Sequence, residues 1–400
     1  MSTPKIGPRV LMIAPGPFFV DRGFGVSVHE QAQALQHRGM RVEVACYPAG
    51  RDRPGVKTHR VWRFPGYDAS RIGPSITRLP LWVLLLIKTW LIARRYKPDV
   101  LHGHLHEGAL IASIVSRLTG TPWLFDYQGS LSLELTEKRA LRRGTLPFRF
   151  VSWIEGWIDR RAPRILVRSG MMQSDLVQRF AVLPERCTRV MDGADPAVFS
   201  PRPGDNALRA SLNLPDRGTI IGYLGLLTEQ QGIERLLRAA QIAIAAHADC
   251  HFLIMGYPVE EAQRLAHNLH IESRVTFTGR VDYDETPDYL ALVDLAVAPK
   301  VSLTEGNGKL YNYAGMALPV VAIDSNVNRE VLGSDAYYTT GETPAAFANA
   351  IEVALADRTA WAERGRRLRA RLEAEFTWDA VAQRVLAAYR DVAPERFAHV

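Results

Sequence analysis

Apolar residues fall in short unbroken runs separated by longer amphipathic stretches, and that rhythm predicts alternating buried strands and helices. Arg9-Val10-Leu11-Met12-Ile13-Ala14 reads as a first buried parallel strand. A turn carrying Gly16, Gly23 and Gly25 follows, then a helix from Val26 to Arg38, closed by Gly39, and a second strand at 41–45. This is a βαβ unit with its glycine loop at the carboxyl end of a strand, where open sheets bind ligands. Its spacing is not that of a dinucleotide fingerprint. A helix at 79–97 leads to a strand at Pro98–His104, a helix at 108–118 and a strand at Trp123–Phe125 that runs into Asp126-Tyr127-Gln128. Ile165-Leu166-Val167 is a further strand.

Residues 200–218 are rich in Pro, Gly, Asp and Asn and read as a domain linker. A second alternating series follows, with strands at 219–224, 251–255, 274–278, 294–298 and 320–323. Helices at 231–246, 259–269, 286–292 and 309–317 lie between them, and 343–391 reads as helical throughout. The expected fold is α/β: two doubly wound Rossmann-like domains, 1–200 and 201–378, facing across a cleft. The last stretch, 379–400, is expected to be a helix returning to the first domain.

The chain is organised around Glu305 to Ala322, E-G-N-G-K-L-Y-N-Y-A-G-M-A-L-P-V-V-A. A carboxylate and two glycines stand after an apolar strand and before a helix, and Lys309 stands in that helix's first turn. Strand, glycine-rich turn and helix in this order can present backbone N–H groups and a cation to an anion. The alternative is an ordinary structural β–α turn.

Composition changes this picture little. The 400 residues carry a formal net charge of +7 and a pI near 9.4, which suits an anionic partner without choosing one. No basic-aromatic stacking platform or groove-reading motif supports nucleic-acid binding. Cys46, Cys187 and Cys250 are widely spaced and fit no metal pattern, so a reduced cytosolic chain is the simplest account. The N-terminus has no apolar signal segment, and the apolar run at 79–93 is interrupted by Lys88 and shorter than the ~20 residues that span a bilayer.

Two stretches carry open readings. His102, His104 and His106 alternate as on one strand face, as active-site or structural groups; a metal would need a further ligand. Residues 138–168 hold nine Lys/Arg against two acids, and Phe150, Trp153, Ile154, Trp157 and Ile158 share one helical face. That face fits a helix lying in a membrane interface. It also fits packing against the first sheet, the favoured reading because most domain helices are amphipathic.

Taken in order, several motifs resemble the GT-B glycosyltransferases, in particular family four of the retaining, sugar-nucleotide-dependent enzymes. They include R-V-L-M-I-A-P, P-D-V-L-H-G-H, D-G-A-D-P-A-V-F-S-P, I-G-Y-L-G-L-L-T-E-Q-Q-G-I and K-L-Y-N-Y-A-G-M-A-L-P-V-V-A. The resemblance spans nearly the whole chain. It implies a hexosyl transfer from a UDP- or GDP-sugar to an acceptor hydroxyl, with retention and without a bound metal or cofactor. It places the donor on the second domain, at Gly225, Gln231, Arg280, Val281, Gly306, Asn307, Gly308, Leu310 and Asn312. The glycine loop at Gly23 and Gly25 would approach the donor phosphates. Glu305 and Lys309 would be catalytic, with Gln128 where the family often has a histidine. His102, His104 and Asp126 would line the acceptor side.

The sequence also departs from the family pattern. Leu226 (or Leu227) and Gln231 stand where phosphate-binding cations are expected, and Asn312 stands where a ribose-binding carboxylate is expected. These altered phosphate-binding residues suggest a distinct subgroup, with more of the phosphate binding falling to Lys309. No N-domain carboxylate convincingly serves a double displacement, Asp126 and Glu107 being nearest, so front-face transfer fits better. A lipid-linked acceptor at an anionic inner membrane surface, in polysaccharide or glycolipid assembly, suits residues 79–93 and 138–168. The alternatives are a sugar-nucleotide 2-epimerase and a non-catalytic sugar- or partner-binding protein of the same fold.

Overall fold

The computed structural model describes residues 7–20, 23–63, 79–137, 140–247, 249–301 and 306–399. They form two compact units. One comprises the residues up to Asp192, Gly306 and Trp378 onward, and the other runs from Gly193 to 301 and from Asn307 to Thr377.

The first unit is built on seven parallel strands: β1 Arg9–Pro17, β2 Arg41–Tyr47, β3 Lys57–Arg60, β4 Val100–His104, β5 Trp123–Tyr127, β6 Ile165–Val167 and β7 Cys187–Arg189. Their order is β3-β2-β1-β4-β5-β6-β7. Val10 to Ala14 have no exposed surface, as the unbroken apolar run required of a strand covered on both faces. Strand order reverses direction between β1 and β4, which makes that gap the ligand-binding point of a doubly wound sheet. Gly108 permits the close approach there: a Cβ on it would lie 2.6 Å from the Ile13 carbonyl oxygen. The helix Leu105–Thr119 can therefore seat against the mouth of the sheet.

Several predicted boundaries shift. The first helix begins at Gly23, so Gly23 and Gly25 lie in its opening turn and not in a loop before it. His106 does not continue the strand face of His102 and His104. It is the second residue of the helix Leu105–Thr119, because the chain turns at Leu105, which has a positive φ. The C-terminal segment is three helices, Pro344–Ala356, Trp361–Glu375 and Trp378–Val392, and not one continuous stretch. The last belongs to the first unit, where the Tyr389 hydroxyl bonds His102 Nδ1 at 2.8 Å and Arg38 forks onto Asp379 at 2.8 Å.

The amphipathic helix Leu146–Asp159, between basic flanks, divides its apolar residues. Ile154, Trp157 and Ile158 pack on the core of the first unit, as the favoured reading had it. Leu146, Phe150 and Trp153 are instead 60–77 % exposed, with the Phe150 and Trp153 rings stacked 6.2 Å apart. No helix among the described residues is long and apolar enough to cross a membrane.

The second unit has six parallel strands: β8 Thr219–Leu224, β9 Cys250–Met255, β10 Val275–Gly279, β11 Leu295–Ala298, β12 Val320–Ala322 and β13 Tyr337–Tyr338. Their order is β10-β9-β8-β11-β12-β13, so this sheet reverses between β8 and β11. Tyr313 bridges the gap: its hydroxyl donates to the Val297 carbonyl at 3.3 Å and accepts from the Leu224 N–H at 2.9 Å.

Candidate functional site

Each sheet gathers polar groups at its own switch point. In the second unit, β8 ends at Leu224 and hands on to Gly225, whose φ of +143° suits glycine alone. A Cβ there would lie 3.1 Å from Lys309 Cε and 3.2 Å from its Nζ. The glycine thus makes room for the lysine. Lys309 opens the short helix Lys309–Gly315 and is buried, its Nζ 3.1 Å from Gln231 Oε1 and 4.7 Å from the centre of the Tyr223 ring. Burial, joined by the charge of nearby Lys300, lowers its pKa to about 7. Lys300 follows β11 and is itself buried. Two buried lysines thus lie near this switch point, and no carboxylate among the described residues contributes to the Lys309 shift. The helix is only two turns long, so its dipole adds less than the lysines do.

The structure therefore brings Gly225, Gln231 and Lys309 together. Asn307 Nδ2 donates to Asn328 Oδ1 at 3.2 Å, and Asn328 Nδ2 donates to the Ile323 carbonyl, which ties the start of the helix to the end of β12. Gly306 is half-buried and Gly308 exposed, while Asn312 is half-buried on the helix. The Leu310 side chain is fully buried, leaving only its backbone for a ligand. Arg280 and Val281 follow β10, two strand positions from β8 on the same edge; the Arg280 guanidinium stands 5.9 Å from the Tyr257 ring centre. Leu226 turns its carbonyl to the Tyr223 hydroxyl at 2.9 Å and Leu227 is buried, so neither replaces a cation. Glu305 lies outside the described residues.

In the first unit the buried centre is Asp126. It accepts from Arg168 Nη2 at 2.7 Å and Arg168 Nε at 3.2 Å, and from Gln128 Nε2 at 3.1 Å; His104 Nδ1 lies 2.8 Å away. Burial alone would raise the Asp126 pKa, but Arg168 and His104 outweigh it and hold the group well below the usual carboxylate range. Arg168 reaches on to Ser27 Oγ at 2.9 Å and pairs with Asp192, to which Ser27 also donates at 2.7 Å. His102 stacks on His104 with centroids 4.3 Å apart. Burial, then the His104 and Arg168 charges, pushes the His102 pKa well below its ordinary value, so that ring is neutral at pH 7. The His104 Nε2 atom is buried without a hydrogen-bond partner among the described residues, and Phe24, beside Gly23 and Gly25, meets the ring edge-on at 6.3 Å.

Arg168, Ser27, Asp192 and Lys300 were missed from the sequence. Arg168 and Lys300 directly follow an apolar strand, the only signal that could have found them.

Chemically, the second unit offers a positive, glycine-opened seat for an anion. The first offers a rigid imidazole–carboxylate–guanidinium cluster with an unpartnered ring nitrogen. Comparisons with known proteins match the two units to two family models. Residues 22–193 match the family model described as glycosyl transferase 4-like domain, and residues 218–357 match that of glycosyl transferases group 1. The chain is 25 % identical to the D-inositol 3-phosphate glycosyltransferase of Acidothermus cellulolyticus, over 94 % of this chain and 86 % of that one. It is also 25 % identical to the 2-deoxystreptamine glucosyltransferase of Streptomyces kanamyceticus, over 69 % of this chain and 74 % of that one. Among solved structures, sucrose-phosphate synthase from Thermosynechococcus elongatus superposes with a TM-score of 0.80 at 20 % identity, covering 97 % of this chain and all of that one. The Anabaena protein HepE, solved with UDP and glucose, superposes with a TM-score of 0.77 at 17 % identity over 98 % of this chain and 99 % of that one. With both matched segments in tandem across more than three quarters of its length, on the two parallel-sheet units that GT-B structures share, the chain belongs to the group 1 glycosyltransferases of GT-B fold.

Proposed function

We propose that the protein transfers a hexosyl group from a nucleoside-diphosphate sugar, UDP- or GDP-linked, to an acceptor hydroxyl, with retention at the anomeric carbon. The observation that carries this reading is the buried Lys309, held beside Gln231 and Gly225 with Lys300 close by. A cation buried with no carboxylate partner among the described residues is costly on its own, and a diphosphate would offset that cost. The lysines would supply the positive field that many diphosphate-transfer sites take from a metal ion, so the reaction is proposed to need none. HepE, of similar fold, was solved with UDP-glucose, which supports a nucleoside-diphosphate sugar as the proposed donor.

The first unit would receive the acceptor. Asp126 is a poor nucleophile for a double displacement, because both its oxygens already accept from Arg168, with Gln128 and His104 also against it. This supports front-face transfer, in which the leaving diphosphate takes the acceptor proton while Lys309 stabilises its charge. The role of Asp126 would be to fix the His104 ring, leaving Nε2 for an acceptor or sugar hydroxyl.

The acceptor is proposed to be lipid-linked, at an anionic membrane face on the cytoplasmic side, in surface polysaccharide or glycolipid assembly. Exposed Leu146, Phe150 and Trp153 and exposed Arg142, Arg143 and Arg149 support a peripheral contact of this kind. The test is a screen of UDP- and GDP-sugars with product analysis, using Lys309→Ala and Glu305→Ala as controls. Transfer with retained configuration, lost in both variants, is expected. An inverted product overturns retention, an epimerised donor formed without acceptor overturns transfer, and unchanged turnover in Lys309→Ala overturns the site.

A further inference from the structure

A second polar cluster lies in the first unit, apart from the Asp126 centre. Glu155 and Asp159 are one helical turn apart on Leu146–Asp159, so both point the same way. His106, on the helix Leu105–Thr119, meets them: its Nε2 is 3.3 Å from Asp159 Oδ1 and 3.8 Å from Glu155 Oε1. All three side chains are at most 4 % exposed. Only Glu155 Oε2 is well supplied, by the Ser132 N–H at 3.1 Å and by Arg179 at 3.8 Å. Arg179 is itself engaged by Asp175 at 2.9 Å and by the Ser130 and Ser132 hydroxyls.

That leaves Glu155 Oε1, both oxygens of Asp159 and His106 Nε2 buried without a well-aligned hydrogen bond among the described residues, their charges facing one another across the cluster. The Tyr127 hydroxyl is buried and unpartnered as well, and its ring stands 5.3 Å from that of His106. So many polar atoms without a well-aligned hydrogen bond at one buried point are rare in folded chains unless something sits among them.

We propose that His106, Glu155 and Asp159 bind a divalent first-row cation, of the Zn²⁺ or Mn²⁺ class, that serves as a structural pin between the two helices. The donor set, one imidazole and two carboxylates, suits those ions. The spacing suits them too. Ligands at 2.0–2.1 Å on a tetrahedral ion lie roughly 3.3–3.5 Å from one another, and the observed separations are 3.3 and 3.8 Å, with all three ligand atoms within 4.8 Å. The other His/Asp group, His102, His104 and Asp126, is a poorer host, because Arg168 already neutralises Asp126 and would repel a cation.

The test uses the full chain, stripped with chelator, then given Zn²⁺ or Mn²⁺ and desalted. About one tightly held equivalent is expected, in the unaltered protein and in His104→Asn but not in Asp159→Asn, with a rise in melting temperature of roughly 5–10 °C at saturating metal. X-ray absorption at the zinc edge should show a single imidazole with oxygen donors, which keeps the proposal testable should Asp159→Asn fail to fold. No retained metal and no melting shift overturns it. So does sulfur ligation, equal retention in Asp159→Asn, or loss in His104→Asn alone.

Discussion

Replacing Lys309 by methionine should make the second unit more stable while removing donor turnover. Folding lowers this lysine's pKa from 10.5 to about 7, by burial first and by Lys300 second. Between those pH values the unfolded chain holds a proton that the folded chain has lost, so stability rises with pH across the window. Below about pH 7 the full penalty stands. At about 1.4 kcal/mol for each tenfold change in proton affinity, it amounts to about 5 kcal/mol. Methionine removes that penalty but also removes the 3.1 Å bond to Gln231 and the contact over Tyr223. Those are worth roughly 1.5–3 kcal/mol and about 1 kcal/mol. The net gain at pH 7 is thus on the order of 1–2 kcal/mol, or roughly 2–6 °C in melting temperature. By about pH 10 the wild-type lysine has shed most of its penalty and the gain should vanish. Thermal melts of both proteins at pH 6, 7 and 10, beside a transfer assay, measure this. A less stable variant at pH 7, or transfer within about twofold of wild type, refutes the reasoning.

Binding of UDP at pH 8 should draw close to one proton from solution, because an adjacent diphosphate restores the charge of Lys309; calorimetry in buffers of different ionisation enthalpy reads it, and zero uptake contradicts the assignment. Gly225→Ala should cost about 1–3 kcal/mol and most of the activity, since the new Cβ meets Lys309 and the φ of +143° is strained for alanine. Arg168→Met should cost about 3–5 kcal/mol in urea denaturation at pH 7, because it removes the guanidinium that pairs with the buried Asp126 and leaves that carboxylate only His104 and Gln128. Phe150→Ser with Trp153→Ser should abolish sedimentation with anionic vesicles while leaving stability within about 1 kcal/mol, both rings being exposed.

The parallel strands were readable because burial on both faces demands runs such as Val10–Ala14 and Leu295–Ala298, and few other structures use them. The edge strands β3 and β13 were not, since Lys57–Arg60 and Tyr337–Tyr338 are short and carry no such run. His106 was placed on a strand because period-two spacing continues through His102 and His104; the turn at Leu105 that ends the strand has no glycine or proline to announce it. On the second unit the glycine and lysine of the site could be read from spacing, and the seat they share could not, because Gly225, Gln231 and Lys309 meet only through the order of β8 and β11. Arg168 escaped notice for a similar reason. An arginine after a strand looks like a solvated flank until the partner, Asp126, is known to lie 42 residues away in sequence and 2.7 Å away in space.

The hydrogen bond from Tyr389 to His102 joins residues 287 positions apart. A chain made from its N-terminus exposes the whole second unit, through Thr377, before the helix Trp378–Val392 has left the ribosome. The first unit to begin synthesis is then the last to close its interior. Until that helix arrives, the stacked histidines of β4 lack the tyrosine that covers them, and a nascent or C-terminally clipped chain would keep its second unit while leaving the floor of the first open to water and to chaperones.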